Sequence, residues 1–300
     1  ILILILSPLC IMKLWFDFSQ ILSYGYLALF TSLEPAPSFY RFGWYMTQAL
    51  FPLLFLTTPT KKQFKIIIFV FLLLNLLDIL KGSRGALFRP LLFFIWYYFK
   101  IYSKGGFDIK KLMFFVFSFL FLSSLMLNFR GDVSEINEDE SIVVKTASEF
   151  AKSQGVSFYV NAYYFDYESK IVEPSKFYVF APVYNFVMRF IDDDFRKRDI
   201  NTVKKTLSFD HKITYAVSSG HYLNGNGLGG SFMIEFYALK GWCSLLILCM
   251  LLGYLIVFFE DNLNLNGLNA VFLWYWVQNL FWISRGEFLS FIPLLILSFA

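Results

Sequence analysis

GWCSLLILCMLLGYLIVFF, residues 241–259, decides the fold class. The stretch contains no charged side chain, and at about 1.5 Å per residue it is long enough to cross a hydrocarbon core of roughly 30 Å. It shows no period-two alternation, so it reads as a helix and not as a barrel strand. Similar runs recur at 1–12, 14–33, 43–60, 64–81, 86–103, 111–128, 267–284 and 287–300. The expectation is an all-α, polytopic transmembrane helix bundle of about nine spans. Composition agrees: of 300 residues 57% are hydrophobic, only 16% are charged, and 39 are phenylalanine. Mean hydropathy is +0.57. A soluble chain of this size has too little interior for that much apolar surface, which excludes soluble enzymes, nucleic-acid binders and secreted disulfide scaffolds. The net charge of +4 is too small to call for a polyanionic partner. Because the chain starts at Ile1 and stops at Ala300 inside apolar runs, a truncated chain is expected.

Charge divides the chain into three. Residues 1–128 and 241–300 are membrane helices joined by short connections. Residues 129–240 carry 13 of the 26 basic and 15 of the 22 acidic residues and form one large extramembrane loop with amphipathic helices. Lys61, Lys62 and Lys65 crowd one short connection; Lys100, Lys104, Lys110 and Lys111 crowd another, two helices later. The positive-inside bias places both in the cytoplasm. The connections at 34–42, 82–86, 129–240 and 284–287 then face outward, which in a bacterial inner membrane is the periplasm.

With sides assigned, arginine separates from lysine. All eight arginines, Arg41, Arg84, Arg89, Arg130, Arg189, Arg196, Arg198 and Arg285, fall on or near the outer side. The planar guanidinium grips phosphate bidentately where an ammonium acts as a point charge. Three of them share one setting at outer helix ends: Ser83-Arg84-Gly85, Phe129-Arg130-Gly131 and Ser284-Arg285-Gly286. Read singly, each is an interfacial anchor reaching lipid phosphate. Together they are expected to form one anion site at headgroup depth.

The most distinctive polar stretch is SSGHYLNGNGLGGSFMIEFYALKG, residues 218–241. Gly220, Gly225, Gly227, Gly229 and Gly230 crowd eleven positions before a span, and Ser231 is placed to cap the helix that follows. Glu235 follows in apolar surroundings, where desolvation makes a carboxyl a usable proton acceptor near neutrality. The alternative is a carboxylate paired with a neighbouring arginine or Lys240. His221 opens the same loop and is the second candidate base. The two histidines, His211 and His221, do not make a metal site, and Asp192-Asp193-Asp194 before Arg196-Lys197-Arg198 reads as a solvated face. Cys10, Cys243 and Cys249 lack metal or redox spacing and read as buried thiols. Asp78 is a candidate partner that fixes an arginine.

These residues resemble a family, the bacterial O-antigen polymerases of the Wzy type. The closest likeness is Gly227-Leu228-Gly229-Gly230-Ser231-Phe232-Met233-Ile234-Glu235-Phe236-Tyr237 with Gly241 beyond; Lys81-Gly82-Ser83-Arg84-Gly85 and Ser284-Arg285-Gly286 resemble the family's arginine-bearing helix ends. The resemblance implies a membrane glycosyltransferase. It would move a growing chain from undecaprenyl pyrophosphate onto a lipid-linked repeat unit at the periplasmic face, adding repeats at the reducing end. It implies a multi-pass inner-membrane location, a lipid-linked oligosaccharide substrate and a chain-length regulator of the Wzz type as partner. No cofactor, metal or nucleic acid is expected.

Under this reading Arg84, Arg130 and Arg285 contact pyrophosphate, with Arg89 nearby. Glu235 or His221 activates the acceptor. Gly225, Gly227, Gly229, Ser231 and Tyr237 line the substrate, and the loop tyrosines Tyr159, Tyr163, Tyr164, Tyr167, Tyr178 and Tyr184 either stack on sugars or pack at the interface. An O-antigen ligase shares the architecture, and a lipid-linked oligosaccharide flippase is the rival from another class. A flippase would carry charge on several helices at mid-membrane depth, whereas here charge gathers at helix ends.

Overall fold

The computed structural model describes residues 2–25, 36–80, 84–103, 110, 155, 159–196, 198–262 and 267–299. Among them the chain is all-α, with no strand. The run expected as a span at 111–128, the start of the outer loop and Arg130 lie outside the described residues. The chain divides into two compact units: Ile1–Tyr26 with Pro35–Leu54 and Thr58–Gln154, and Leu27–Glu34 with Phe55–Thr57 and Gly155–Ala300.

The first unit holds α1 (Leu2–Tyr24), α2 (Ser38–Leu50), α3 (Lys61–Leu74), α4 (Leu76–Leu80) and α5 (Arg84–Tyr102). The sequence separates two apolar runs near residue 13, yet α1 runs unbroken through that point. Lys13 is the reason. Its ammonium pairs with Asp17 one turn on at 2.7 Å and lies 4.6 Å from the centroid of the Trp44 ring, so the charge is matched inside the helix. The helices α1 and α2 meet at Gly43, where an added Cβ would sit 2.3 Å from that of Leu9; only glycine permits this approach.

Helix α3 begins at a capping box in which Thr60 and Gln63 satisfy each other's backbone N–H groups. It stops at Asn75, whose amide bonds the Phe71 carbonyl at 2.9 Å and accepts from Gln48 at 2.9 Å. Aromatic packing joins α3 to α5, with Phe64 stacked on Tyr97 at 5.4 Å and Phe71 edge-on to Phe94 at 5.5 Å. Asp78 is buried in α4.

The second unit holds a helical stretch at 159–167, then α6 (Ala181–Ile191), α7 (Ile200–Lys205), α8 (Phe209–Val217), α9 (Ser219–Leu223), α10 (Phe232–Asn262), α11 (Leu268–Leu280) and α12 (Ile292–Phe299). Compactness therefore groups the described part of the polar loop with the C-terminal helices. A core of Val160, Tyr164, Ile171, Tyr178, Phe209, Ile213 and Ile234 ties the short helices to the head of α10. Lys212 is buried there, and its ammonium donates to the carbonyls of Val172, Glu173 and Val203 at 3.1, 2.9 and 2.9 Å. Tyr159 and Tyr184 are exposed, whereas Tyr164 and Tyr178 belong to this core, so the loop tyrosines divide between surface and packing roles.

Helix α10 is broken at Lys240 and Gly241, which leave helical geometry. Ser244 stitches the break, sharing its hydroxyl hydrogen between the carbonyls of Phe236 (2.7 Å) and Gly241 (2.9 Å) and accepting from the Lys240 N–H (2.9 Å). Beyond the break the helix is apolar all round, yet Trp242, Leu246, Ile247 and Met250 are each more than 60% exposed. A surface of that kind is suited to lipid and not to water. Among the described residues two helical stretches, Ile5–Tyr24 and Phe232–Asp261, are long and apolar enough to cross a membrane. Of the cysteines only Cys10 is buried. Cys243 is exposed on the same apolar shaft, which corrects the expectation of three buried thiols.

Candidate functional site

Two motifs more than fifty residues apart in sequence are joined in the second unit. The turn that follows α11 carries Ser284-Arg285-Gly286, and the glycine-rich loop lies directly on it. The Gly230 N–H donates to the Arg285 carbonyl at 3.1 Å, and the Phe232 N–H to the Ile283 carbonyl at 3.3 Å. Glycine is required on both sides of this contact. Gly229 has φ +90°, and an added Cβ would lie 3.1 Å from the Arg285 carbonyl oxygen; at Gly286 a Cβ would meet the Trp282 ring at 2.4 Å. Gly225, also at positive φ, closes α9.

The loop is held from behind by α8. Asp210 accepts from the Gly229 N–H at 2.9 Å, and Thr214 accepts from the Leu228 N–H at 3.0 Å while donating to Asp210 at 3.2 Å. Arg198 approaches Gly227, donates to the Asn226 carbonyl, and lies 5.5 Å from the centroid of the Tyr222 ring. The Tyr222 hydroxyl meets His211 Nδ1 at 2.8 Å. Burial pushes the His211 imidazole down to about 4 against the pull of Asp210, so it is neutral at physiological pH. Burial likewise raises the Tyr222 phenol.

Beneath the same turn lie two carboxyls. Glu235 is fully buried, and its Oε2 accepts from the Phe288 N–H at 3.0 Å. Glu287 faces it electrostatically. As a residue Glu287 is half-buried, but its Oε1 is shut off from solvent. Burial pushes the Glu287 carboxyl up to about 7, with Asp210 adding to the rise, while the Ser208 hydroxyl and Arg189 oppose it. Asn279 fixes the turn, donating to the Phe288 carbonyl at 2.6 Å and accepting from the Ser290 hydroxyl at 2.7 Å.

The family model for O-antigen polysaccharide polymerase Wzy matches residues 1–300. The chain belongs to that family. No curated protein and no solved structure matches it. Membership makes it an integral membrane polymerase of polysaccharide biosynthesis, acting on lipid-linked polysaccharide in the bacterial inner membrane.

Within this polymerase, the residues expected to act divide by location. Arg285, Glu235, Gly229 and Ser231 come together at the joined motifs. Ser231 is fully buried, but its hydroxyl makes no hydrogen bond, so it does not cap α10 through its side chain. Tyr237 packs on Phe165 and Trp242, both at 5.3 Å between centroids. Gly227 is exposed at the loop's rim, beside Asp210 and Arg198. His221 is exposed on α9, and the histidine inside the cluster is His211. Arg84 opens α5 and Arg89 lies half-buried within it, both in the first unit.

Sequence reasoning passed over Arg198, Asp210, His211 and Glu287. The charged run ending at Arg198 reads as solvated, and part of it is: Lys205 bridges Asp192 and Asp194 in the open. The signal that could have found Glu287 was an acid directly after an Arg-Gly pair between two apolar runs.

Proposed function

We propose that this polymerase joins O-antigen repeats at the periplasmic face of the inner membrane. It transfers the growing undecaprenyl-pyrophosphate-linked chain to the sugar of the next lipid-linked repeat unit. The observation that carries the reading is the seating of the glycine-rich loop on the Arg285 turn, with buried carboxyls beneath it. Transfer breaks a bond between an anomeric carbon and a pyrophosphate oxygen, so negative charge develops on a leaving group that sits at headgroup depth. A guanidinium held on a rigid turn stabilises that charge without reorganising. We assign Arg285 to this contact together with Arg84 and Arg130, which share its Arg-Gly setting. Arg89 is assigned to the carrier, and Gly225 and Gly227, the latter at the exposed rim, with Tyr237 to the sugar.

Acceptor activation is assigned to the carboxyl centre that Glu235 opens, with His221 available to substrate at the exposed end of the loop. The wider architecture belongs to the same proposal: about nine spans, an outer loop at 129–240, and a Wzz-type regulator setting chain length. A strain lacking this gene tests the reading. It should carry single repeats on its lipopolysaccharide, and the intact gene should restore the ladder of long chains. Full-length polymer left on its carrier in that strain would instead identify a ligase.

A further inference from the structure

Three polar atoms near the joined motifs are shut off from water and lack a hydrogen-bond partner: Ser231 Oγ, Glu235 Oε1 and Glu287 Oε1. All three surround one short segment. Gly230, next to Ser231, bonds the Arg285 carbonyl; Glu235 bonds the N–H of Phe288; Glu287 lies between Arg285 and Phe288 in sequence. A buried carboxyl oxygen without a donor is costly, and native structures keep such groups where a ligand, a proton or a water completes them. Here two acceptors and one hydroxyl await a donor two residues from Arg285. A sugar hydroxyl has the right chemistry, since it donates one hydrogen and accepts another.

Resting on the polymerase reading above, we propose that Glu287 receives the proton of the acceptor sugar's hydroxyl, with Glu235 beside it as its positioning residue. As the hydroxyl proton passes to Glu287 Oε1, the oxygen forms its bond to the anomeric carbon of the donor chain. The bond from that carbon to the pyrophosphate oxygen breaks, and its electron pair leaves with undecaprenyl pyrophosphate, facing Arg285. Glu287 then releases the proton to water. One turn thus presents the leaving-group contact and the proton acceptor on a single stretch of backbone.

The groups facing Glu287 suit the task. Glu235 approaches from α10, Asp210 and the Ser208 hydroxyl from the start of α8, and Arg189 from α6. This balance holds the carboxyl near neutrality, where a base is most effective. Glu235, bonded through Oε2 to the Phe288 N–H, fixes the backbone next to Glu287.

The test uses the full chain in proteoliposomes, with undecaprenyl-pyrophosphate-linked single repeats as substrate and polymerisation rate followed from pH 5 to 9. The wild-type rate should fall on the acid side with a midpoint near 7. Glu287→Gln should lower the rate at least about a hundredfold, as loss of a general base does. Glu287→Asp should keep a pH-dependent rate. Glu235→Ala should lower the rate and Glu235→Gln, whose amide oxygen still accepts from the Phe288 N–H, should restore it; Asp210→Asn should move the acid midpoint to lower pH, because Glu287 loses the carboxylate that raises it. If Glu287→Gln polymerises at the wild-type rate, or Asp210→Asn leaves the midpoint unmoved, the proposal is overturned and the three atoms hold structural water. If Glu287→Gln does not insert, the Asp variant and the Asp210→Asn midpoint decide. A wild-type protein that makes no polymer overturns the polymerase reading itself, whatever the variants do.

Discussion

Replacing Gly229 by alanine perturbs the join between the two motifs at a single point. At φ +90° an L-residue is strained, by roughly 1–2 kcal/mol. The new Cβ would also stand 3.1 Å from the Arg285 carbonyl oxygen, a backbone atom that cannot rotate aside. That oxygen accepts the Gly230 N–H, so relief of the contact weakens this bond, which is worth about 1 kcal/mol net. Together the seated loop loses about 2–3 kcal/mol relative to an unseated one, or roughly thirty- to a hundredfold in population at about 1.4 kcal/mol per factor of ten. The assay is the length distribution of O-antigen on a gel in a strain lacking the native gene, with membrane protein level measured alongside. Gly253→Ala is the matched control, since nothing lies within 4 Å of an added Cβ there. Gly229→Ala should collapse the ladder toward short chains at unchanged protein level, and Gly253→Ala should not. A wild-type ladder from Gly229→Ala would refute the claim that the seated loop is the working state.

Arg84→Ala, Arg130→Ala and Arg285→Ala should each shorten chains while the protein still inserts, and lysine should restore little, because it lacks the planar fork; normal ladders from all three alanine variants would end the anion-site assignment. His211 is held well below its ordinary value, so the unfolded chain takes up its proton first. It should therefore cost stability as pH falls from about 6.5 toward 4, while Glu287, raised from its usual range to about 7, should cost stability as pH rises from about 4.5 to 7. Melting curves of detergent-solubilised His211→Gln and wild type across pH 4–7 should thus differ by the His211 contribution alone, the wild type losing more on the acid side. Lys212→Met should destabilise the second unit by about 1–3 kcal/mol, because the buried Val203 carbonyl and the part-buried carbonyls of Val172 and Glu173 lose their donor; limited proteolysis between residues 170 and 230 would report it.

Much of the fold was legible because apolar runs and their helical reading need no tertiary information. The boundary near residue 13 was not, since Lys13 breaks a run only until Asp17 and Trp44 are seen beside it. The site was half legible. Glycine crowding and the Arg-Gly pair each announce backbone that must turn or approach closely, but nothing in the spacing says that one lies on the other. Asp210 and Arg198 were invisible for another reason: on a short helix or the connection before one, in a polar stretch, a residue that turns inward looks like its solvated neighbours. Ser231 shows the converse, since its place before a helix predicts a cap, while burial against the Arg285 turn leaves its hydroxyl unbonded.

The break at Lys240 and Gly241, pinned by Ser244, sets a fixed angle between the lipid-facing shaft of α10 and the head that carries Glu235. A joint pinned in this way carries the lean of the shaft into the head, so the bilayer's grip on one end orients the carboxyl at the other. Gly241→Ala, forced to hold φ +65° with a side chain, should weaken the joint and shorten polymer at unchanged protein level, and Ser244→Ala should do the same; normal ladders from both would count against it.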